Sequence, residues 1–452
     1  MSGIAGIAQA GMQVRVNRML DKIGHRGQTG REIIEDHGAT LGLVWTAPQL
    51  QSTAAAKRSS IVRDEAGAGH CAQAQALREG VTLRRDQLGV APLYYGHTFD
   101  GALCFASEVK ALLEITHDVY ELPPGHSYTG GQLEPYYQLA QQAPLSEPAE
   151  QIAPELRRRL SAAVKEHIGS GEVGAWLSGG LDSSTMAALA RPYVKQLHTF
   201  AVGLPGALDL EYARAVADHI AATHHEIIVT FGDMLAVLPT VIYHLESFDA
   251  LLVRSSITNY LVARAAADYV PAVFSGEGGD ELFAGYEYLK ALEPAALPAE
   301  LIDITGRLHN TALQRVDRSA AAHGTVAHVG FLDPDVVDYA LRIPSDLKLH
   351  DGVEKWILRR AMAGLLPDSV LQRTKSKFWE GAGVGELLAR YADDEISAVA
   401  FQRECWLPDG GQLNSREELM YYRIFREHFG EFNDLTWVGR TKGVPIQAAL
   451  IT

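Results

Sequence analysis

Two stretches of this chain pair residue types that bind phosphate with residue types that hold cations and move protons. The first is Leu177-Ser178-Gly179-Gly180-Leu181-Asp182-Ser183-Ser184. It follows the apolar run Val173-Gly174-Ala175-Trp176, which predicts a buried strand. It precedes Thr185-Met186-Ala187-Ala188-Leu189-Ala190, which predicts the first turns of a helix. A Ser/Gly turn between a strand and a helix N-terminus points several backbone N–H groups at one spot, and the helix dipole adds partial positive charge there. Such a turn suits phosphate or pyrophosphate. The Lys of a GxxxxGK[ST] loop is missing, so the site is not of that kind. Asp182 would repel phosphate unless a cation such as Mg2+ lies between them. The second stretch is Ser275-Gly276-Glu277-Gly278-Gly279-Asp280-Glu281-Leu282-Phe283-Ala284-Gly285-Tyr286, after the strand-like Ala272-Val273-Phe274. Its glycines let the backbone approach a ligand. Its carboxylates, Glu277, Asp280 and Glu281, can hold Mg2+ or manage protons beside a phosphate loop.

The elements that must position these loops follow from the pattern. From Val173 onward, strand-like runs such as Thr199-Phe200-Ala201-Val202 and Glu226-Ile227-Ile228-Val229 alternate with helical patterns. That predicts a parallel sheet wrapped by helices, with ligands at the carboxyl ends of its strands. Ahead of it, Ile152, Leu156, Leu160, Val164 and Ile168 recur every four residues and predict a helix, with Arg157, Arg158 and Arg159 on a solvated face. Residues 1–140 show short alternating segments instead. Leu41–Trp45 and Gly101–Ala106 read as strands, and Leu122-Pro123-Pro124-Gly125-His126 as a turn. The polar stretch Gln141–Pro148, with two prolines, reads as a linker. The expected domains are 1–140 and 150–452. His224-His225 lie adjacent on a predicted strand and point to opposite faces, so they are read as structural and not as a metal pair.

Composition narrows the classes. The chain has 452 residues, 47% apolar and 21% charged, as expected for a globular protein with a sizeable core. A net charge of −15 argues against nucleic acid or an anionic membrane as partner. Cys71, Cys104 and Cys405 show no CxxC spacing, which suggests neither disulfides nor a zinc site and fits the reducing cytoplasm. No apolar run approaches the length of a membrane span, and no basic stretch precedes the apolar N-terminus.

Both motifs resemble those of the asparagine synthetase B family, whose relatives include the β-lactam synthetases. Supporting segments are Thr199–Gly206, Ser247-Phe248-Asp249, Leu365–Val370 and Arg373-Thr374-Lys375-Ser376-Lys377-Phe378. In the first domain, Gly3-Ile4-Ala5-Gly6, His25-Arg26-Gly27, Arg85–Tyr95 and Phe105–Leu112 resemble the family's glutaminase domain. The resemblance implies an α/β protein. A shortened N-terminal α+β sandwich of N-terminal-nucleophile-hydrolase type would precede a parallel-sheet ATP pyrophosphatase domain. It implies an ATP-dependent, AMP-forming ligase. A small carboxylic acid would attack the α-phosphate to give an acyl-adenylate and pyrophosphate, and ammonia or an amine would then form the amide. By the family pattern, Ser178, Gly179, Gly180, Asp182 and Ser183 would hold pyrophosphate, and Asp182 and Asp280 would ligate Mg2+. Leu177, Val202 and Gly276 would contact adenosine, with Gly203 and Ser275 completing the nucleotide set. Lys375 would stabilise negative charge on the phosphates, and Glu277 would take a proton from the attacking amine. Tyr286 and Arg315 would border the acceptor pocket. The family commonly forms dimers, so a homodimer is implied.

The chain also departs from the family pattern. Ser2 stands where the family has its nucleophilic Cys, and a hydroxyl needs a stronger base than a thiol. Trp45-Thr46-Ala47-Pro48 carries no Arg where the family reads glutamine, and the segment that supplies the oxyanion hole is absent between about Gly69 and Gln75. Glutamine hydrolysis is therefore expected to be lost, with ammonia taken free or from a separate protein. On the acceptor side, Ala312, Val326 and His328 replace an Asp, a Glu and an Arg of the family around what is expected to be one pocket, while Arg315 is kept. Aspartate is thereby in doubt as the acid, since Arg reads carboxylates in a two-pronged way that His cannot. Rival readings are a lactam-forming cyclase, an ammonia-dependent asparagine synthetase and a nucleotide-binding regulator without activity.

Overall fold

In the computed structural model, residues 1–46, 60–67, 69–168, 172–373, 382, 384 and 386–442 are described. The N-terminal part is built from strands whose small residues permit close stacking. They are β1 (Ser2–Ile7), β2 (Gly30–Asp36), β3 (Ala39–Trp45), β4 (Ile61–Glu65), β5 (Cys71–Leu77), β6 (Gly80–Arg85), β7 (Tyr94–His97), β8 (Leu103–Ala106), β9 (Tyr120–Glu121), β10 (His126–Thr129) and β11 (Gln132–Pro135). They form two antiparallel sheets, ordered β2-β3-β1-β8-β7-β9 and β11-β10-β6-β5-β4. β1 and β3 of the first sheet pack on β4 of the second. In β5 the alternation is period two, so Ala72, Ala74 and Ala76 point inward and are buried. The helix α1 (Gln13–Lys22) covers the first sheet through Val16, Met19 and Leu20. The predicted strand from Gly101 begins only at Leu103, because Gly101 takes a left-handed turn conformation with φ +86°.

After residues 136–148, which lack regular structure, the helix α2 (Ala149–Ile168) buries Ile152, Leu156, Leu160, Val164 and Ile168 as its spacing predicts. The arginine run does not lie wholly in solvent. Arg157 donates to the carbonyls of Ala361 and Ala363, the latter at 2.7 Å, and so fastens α2 to the C-terminal end of the helix Trp356–Met362. Arg159 stacks on the ring of Tyr339, which a guanidinium prefers to open water.

The parallel sheet contains β12 (Gly174–Trp176), β13 (His198–Gly203), β14 (Thr223–Ile228), β15 (Ala272–Phe274) and β16 (Val326–His328), ordered β14-β13-β12-β15-β16. The helix α3 (Leu181–Ala190) links β12 to β13, and α4 (Leu208–His219) links β13 to β14. The chain then returns through α5 (Phe231–Leu245) and α6 (Ala250–Ala267) to the other side of β12, and α7 (Ala312–Ala321) leads to β16. Right-handed crossovers that run in opposite directions place α3 and α4 on one face and α6 and α7 on the other. The strand order therefore reverses between β12 and β15, where an open α/β sheet offers its ligand crevice. His224 and His225 lie on β14 and turn apart. His224 meets the Thr199 hydroxyl at 2.9 Å, and His225 meets the His198 ring at 2.9 Å. Among the described residues no single helix is long and apolar enough to cross a membrane.

Candidate active site

Both sequence motifs lie at the carboxyl ends of β12 and β15, on either side of the crevice. The turn after β12 is held by its own serines. The Ser178 backbone N–H donates to Ser183 Oγ at 3.2 Å, the two hydroxyls lie 3.0 Å apart, and the Gly180 N–H reaches Ser178 Oγ at 3.4 Å. Gly179 has φ +68°, and a Cβ there would fall 2.4 Å from Tyr212 Cβ and 2.5 Å from the Ala213 nitrogen. Only glycine fits a turn pressed so close to α4. The helix starts earlier than its sequence suggests. Leu181 is already helical, so Asp182 lies in the first turn of α3, where the helix dipole favours its negative charge.

The loop after β15 touches the first one. A Cβ on Gly276 would lie 2.8 Å from the Ser183 nitrogen, and one on Gly279 would lie 2.5 Å from Asp182 Cγ. The two metal candidates are brought together, and a residue that sequence reasoning missed joins them. Lys355 Nζ pairs with Asp182 Oδ2 and lies 2.5 Å from Asp280 Oδ1, with the lysine only 2% exposed. The two carboxylates face one cationic point, now held by the Lys355 ammonium, and a pair of carboxylates so placed is a donor set that suits Mg2+. Among the described residues no group of three His, Cys, Asp or Glu could enclose a metal ion, so the remaining ligands of such an ion would come from phosphate and water.

The side expected to take the nucleotide is less polar. Leu177, Val202 and Ser275 are buried, and the Leu177 N–H donates to the Phe200 carbonyl at 2.8 Å across the sheet. Gly203 ends β13, and a Cβ on it would meet Ala207 Cβ at 2.8 Å. Lys375 lies outside the described residues. Arg373, two positions earlier, donates to the Ser178 carbonyl at 3.3 Å, lies 2.5 Å from Asp209 Oδ1 and covers the Tyr212 ring. Arg373 is thus tied to the 178–183 turn.

On the acceptor side, Arg315 Nη2 pairs with Glu277 Oε1, and Arg315 Nη1 donates to Ser255 Oγ at 2.9 Å. Arg315 Nε is buried with no hydrogen-bond partner. Tyr286 donates to the buried Glu281. Burial first, then the charges of Asp280 and Glu277, push the Glu281 carboxyl up to about 7. The expected single pocket of departures divides in two. Ala312 and Arg315 share α7, but His328 turns to the α2 side of the sheet. Its ring lies 5.1 Å from that of His167 and packs beside Gly67. Strand alternation puts Val326 on the same side as His328. Burial first, then His167, holds the His328 imidazole down at about 3, so it is neutral.

Comparison with known proteins accords with this geometry. The asparagine synthase family matches residues 155–303 and 293–443, and the glutamine amidotransferase domain matches residues 71–128. Asparagine synthetase B [glutamine-hydrolyzing] of Escherichia coli (strain K12) is 35% identical over 379 residues, which covers 78% of this chain and 68% of that protein. Asparagine synthetase [glutamine-hydrolyzing] 2 of Arabidopsis thaliana is 35% identical over 374 residues, with 76% and 64% covered. This chain therefore spans about two thirds of the length of these relatives. Among solved structures, the NMN synthetase of Francisella tularensis aligns with 64% of this chain and 99% of its own at 14% identity and a TM-score of 0.30, too weak a likeness to add to the assignment. The two antiparallel sheets and the parallel sheet are those expected from the resemblance, and on the two family matches together with the 35% identity the chain belongs to the asparagine synthase family, as a carbon–nitrogen ligase of asparagine synthetase type.

Proposed function

We propose that this protein activates a small carboxylic acid with ATP and joins it to ammonia or a small amine, releasing AMP and pyrophosphate. The observation that carries this reading is the meeting of Asp182 and Asp280 around Lys355 beneath two glycine-rich loops. The N–H groups of the 178–183 turn and the N-terminus of α3 bind the pyrophosphate part of ATP. Asp182 and Asp280 would hold Mg2+, which would supply positive charge against the phosphates. Lys355, and Lys375 by its resemblance, neutralise charge as pyrophosphate leaves. Leu177, Val202, Gly203, Ser275 and Gly276 border the adenosine. Glu277, held through one oxygen by Arg315, takes the proton of the attacking amine through the other. The retained Glu277 favours an external amine over ring closure. The intact pair of carboxylates with a proton acceptor beside it speaks against a regulator without activity.

Glutamine hydrolysis is absent in this proposal. Ser2 is 4% exposed, its hydroxyl donates to Asp64 at 3.3 Å and accepts the Glu65 N–H at 2.9 Å, so it is structurally engaged. The amidotransferase match, residues 71–128, leaves Ser2 out. Ammonia then comes free or from a separate protein. The domains are taken as 1–140 and 150–452, the assembly as a homodimer and the compartment as the cytoplasm, in keeping with three free cysteines.

The test is acid-dependent pyrophosphate release from ATP and Mg2+, with aspartate and then a panel of amino and hydroxy acids, each with ammonium or glutamine. The expected result is release with one acid class, an amide product with ammonium, and no glutamate from glutamine. Release with no acid would overturn the ligase reading. Asparagine formed from aspartate and ammonium would instead identify an ammonia-dependent asparagine synthetase.

A further inference from the structure

The N-terminal sheets grip one segment of the ligase part at both of its ends. Ahead of α7, Glu121 of β9 accepts from His309 at 2.7 Å and from Asn310 at 3.3 Å, and Arg85 of β6 holds the same carboxylate at 2.6 Å. Burial alone would raise the Glu121 carboxyl, but His309 and Arg85 outweigh it and bring it down to about 2, so it is an anion. On the far side of Arg315, Asp317 takes two bonds from Arg26, at 2.7 and 2.9 Å. Arg26 is fully buried. Arg315, between these two anchor points, grips Glu277 and Ser255. None of the anchoring contacts touches the phosphate turn at 178–183.

We propose that the N-terminal part serves the ligase site as a clamp on residues 308–318, with Glu121 and Arg26 as positioning residues for the Arg315–Glu277 pair. This deepens the ligase reading and rests on it for the role of Glu277. It gives the amidotransferase-like part a task that needs no glutamine chemistry. A guanidinium whose helix is fixed just ahead of its start and again at Asp317 directs Glu277 without further reorganisation, which is what a proton acceptor needs. ATP binding stands apart from the clamp, because the phosphate turn hangs on β12 and α3.

The test compares Glu121→Gln with the wild-type full chain, with His309→Gln as a second, milder variant should the first fail to fold. The expected result is a rise of about tenfold in KM for the acid, or an equal fall in amide formation relative to adenylation, with KM for ATP unchanged. Amide hydrogen exchange is read on the same proteins. It should quicken over 273–286 and 308–321 and stay unchanged over 177–184. Equal shifts in both KM values, or unchanged exchange at 308–321 in a folded variant, would overturn the clamp. If the wild type releases no pyrophosphate with any acid, the ligase reading fails, and exchange alone then decides whether the clamp exists.

Discussion

Glu277 carries the sharpest prediction at the scale of single residues. Glu277→Gln keeps the size of the side chain and a hydrogen-bond acceptor for Arg315, but removes the base. Acid-dependent pyrophosphate release should survive, while amide formation falls by about 100-fold or more. Quantifying both products in one reaction checks this, and loss of neither would show that the proton goes elsewhere. The residues of the two glycine-rich motifs were legible in the sequence because local spacing defines them. Asp182 and Asp280 are 98 positions apart in number, yet each lies in a motif that announces itself. Lys355 is not legible there, and Arg373 is legible only as a member of the segment that leads to Lys375, not by its contact. Lys355 meets Asp182 across 173 positions and Arg373 meets the Ser178 carbonyl across 195. No periodicity marks a basic residue for so distant a contact. His328 was assigned to the wrong pocket because its strand register, set only by pairing with β15, decides which face it takes.

Elements set how much change the site tolerates. The 178–183 turn is packed against α4 at Gly179 with no room for a methyl group. Gly179→Ala places a side chain at positive φ, a cost of about 1 kcal/mol, and adds a clash with Tyr212 and the Ala213 nitrogen. The turn must open, so pyrophosphate release should fall by at least tenfold while circular dichroism stays that of a folded protein; retained turnover would mean that the backbone donors of this turn do not hold the phosphates. Strands and helices were read well where alternation or fourfold spacing is strong, as in α2. The start of α3 was read late, because Leu181-Asp182-Ser183-Ser184 looks like a turn by residue type. Tertiary contact with the loop after β15 outweighs that local preference. The order of the parallel sheet, with its reversal between β12 and β15, is set by pairings between distant segments that no local pattern carries.

At the scale of the whole molecule, the junction of the two parts is polar and deeply buried, and it sets the response to acid. His244, His323 and His328 are held at about 3, 4 and 3, in each case chiefly by burial, against an ordinary value of 6.5. They are neutral in the fold, and the unfolded chain takes up more protons between pH 6.5 and those values. Stability therefore rises with pH through that window and is lost as pH falls through it. Each imidazole should cost up to about 2 kcal/mol by pH 5. Glu121, held at about 2, adds a loss of the same sign below its ordinary 4.5. Melting temperature measured from pH 8 to pH 5 should fall steadily below about 6.5; a flat profile would mean that these rings find proton acceptors in the fold. None of this junction was visible in composition, because its charges are scattered along the chain and pair only in space.

Arg26 shows what such a junction demands of the chain while it is being made. Its five N–H groups have five acceptors: the Ser2 carbonyl at Nε, Glu108 and Asp317 at Nη1, and Asp64 and Asp317 at Nη2. Asp317 follows Arg26 by 291 positions. At ribosomal speeds of about 5–20 residues per second, the guanidinium waits roughly 15–60 s for its last partner. During that wait the first two sheets expose a charged seam that Glu246, at the end of α5, and then α7 close. The N-terminal part thus emerges first and is finished last, and the ribosome hands it over incomplete until the ligase part has been synthesised.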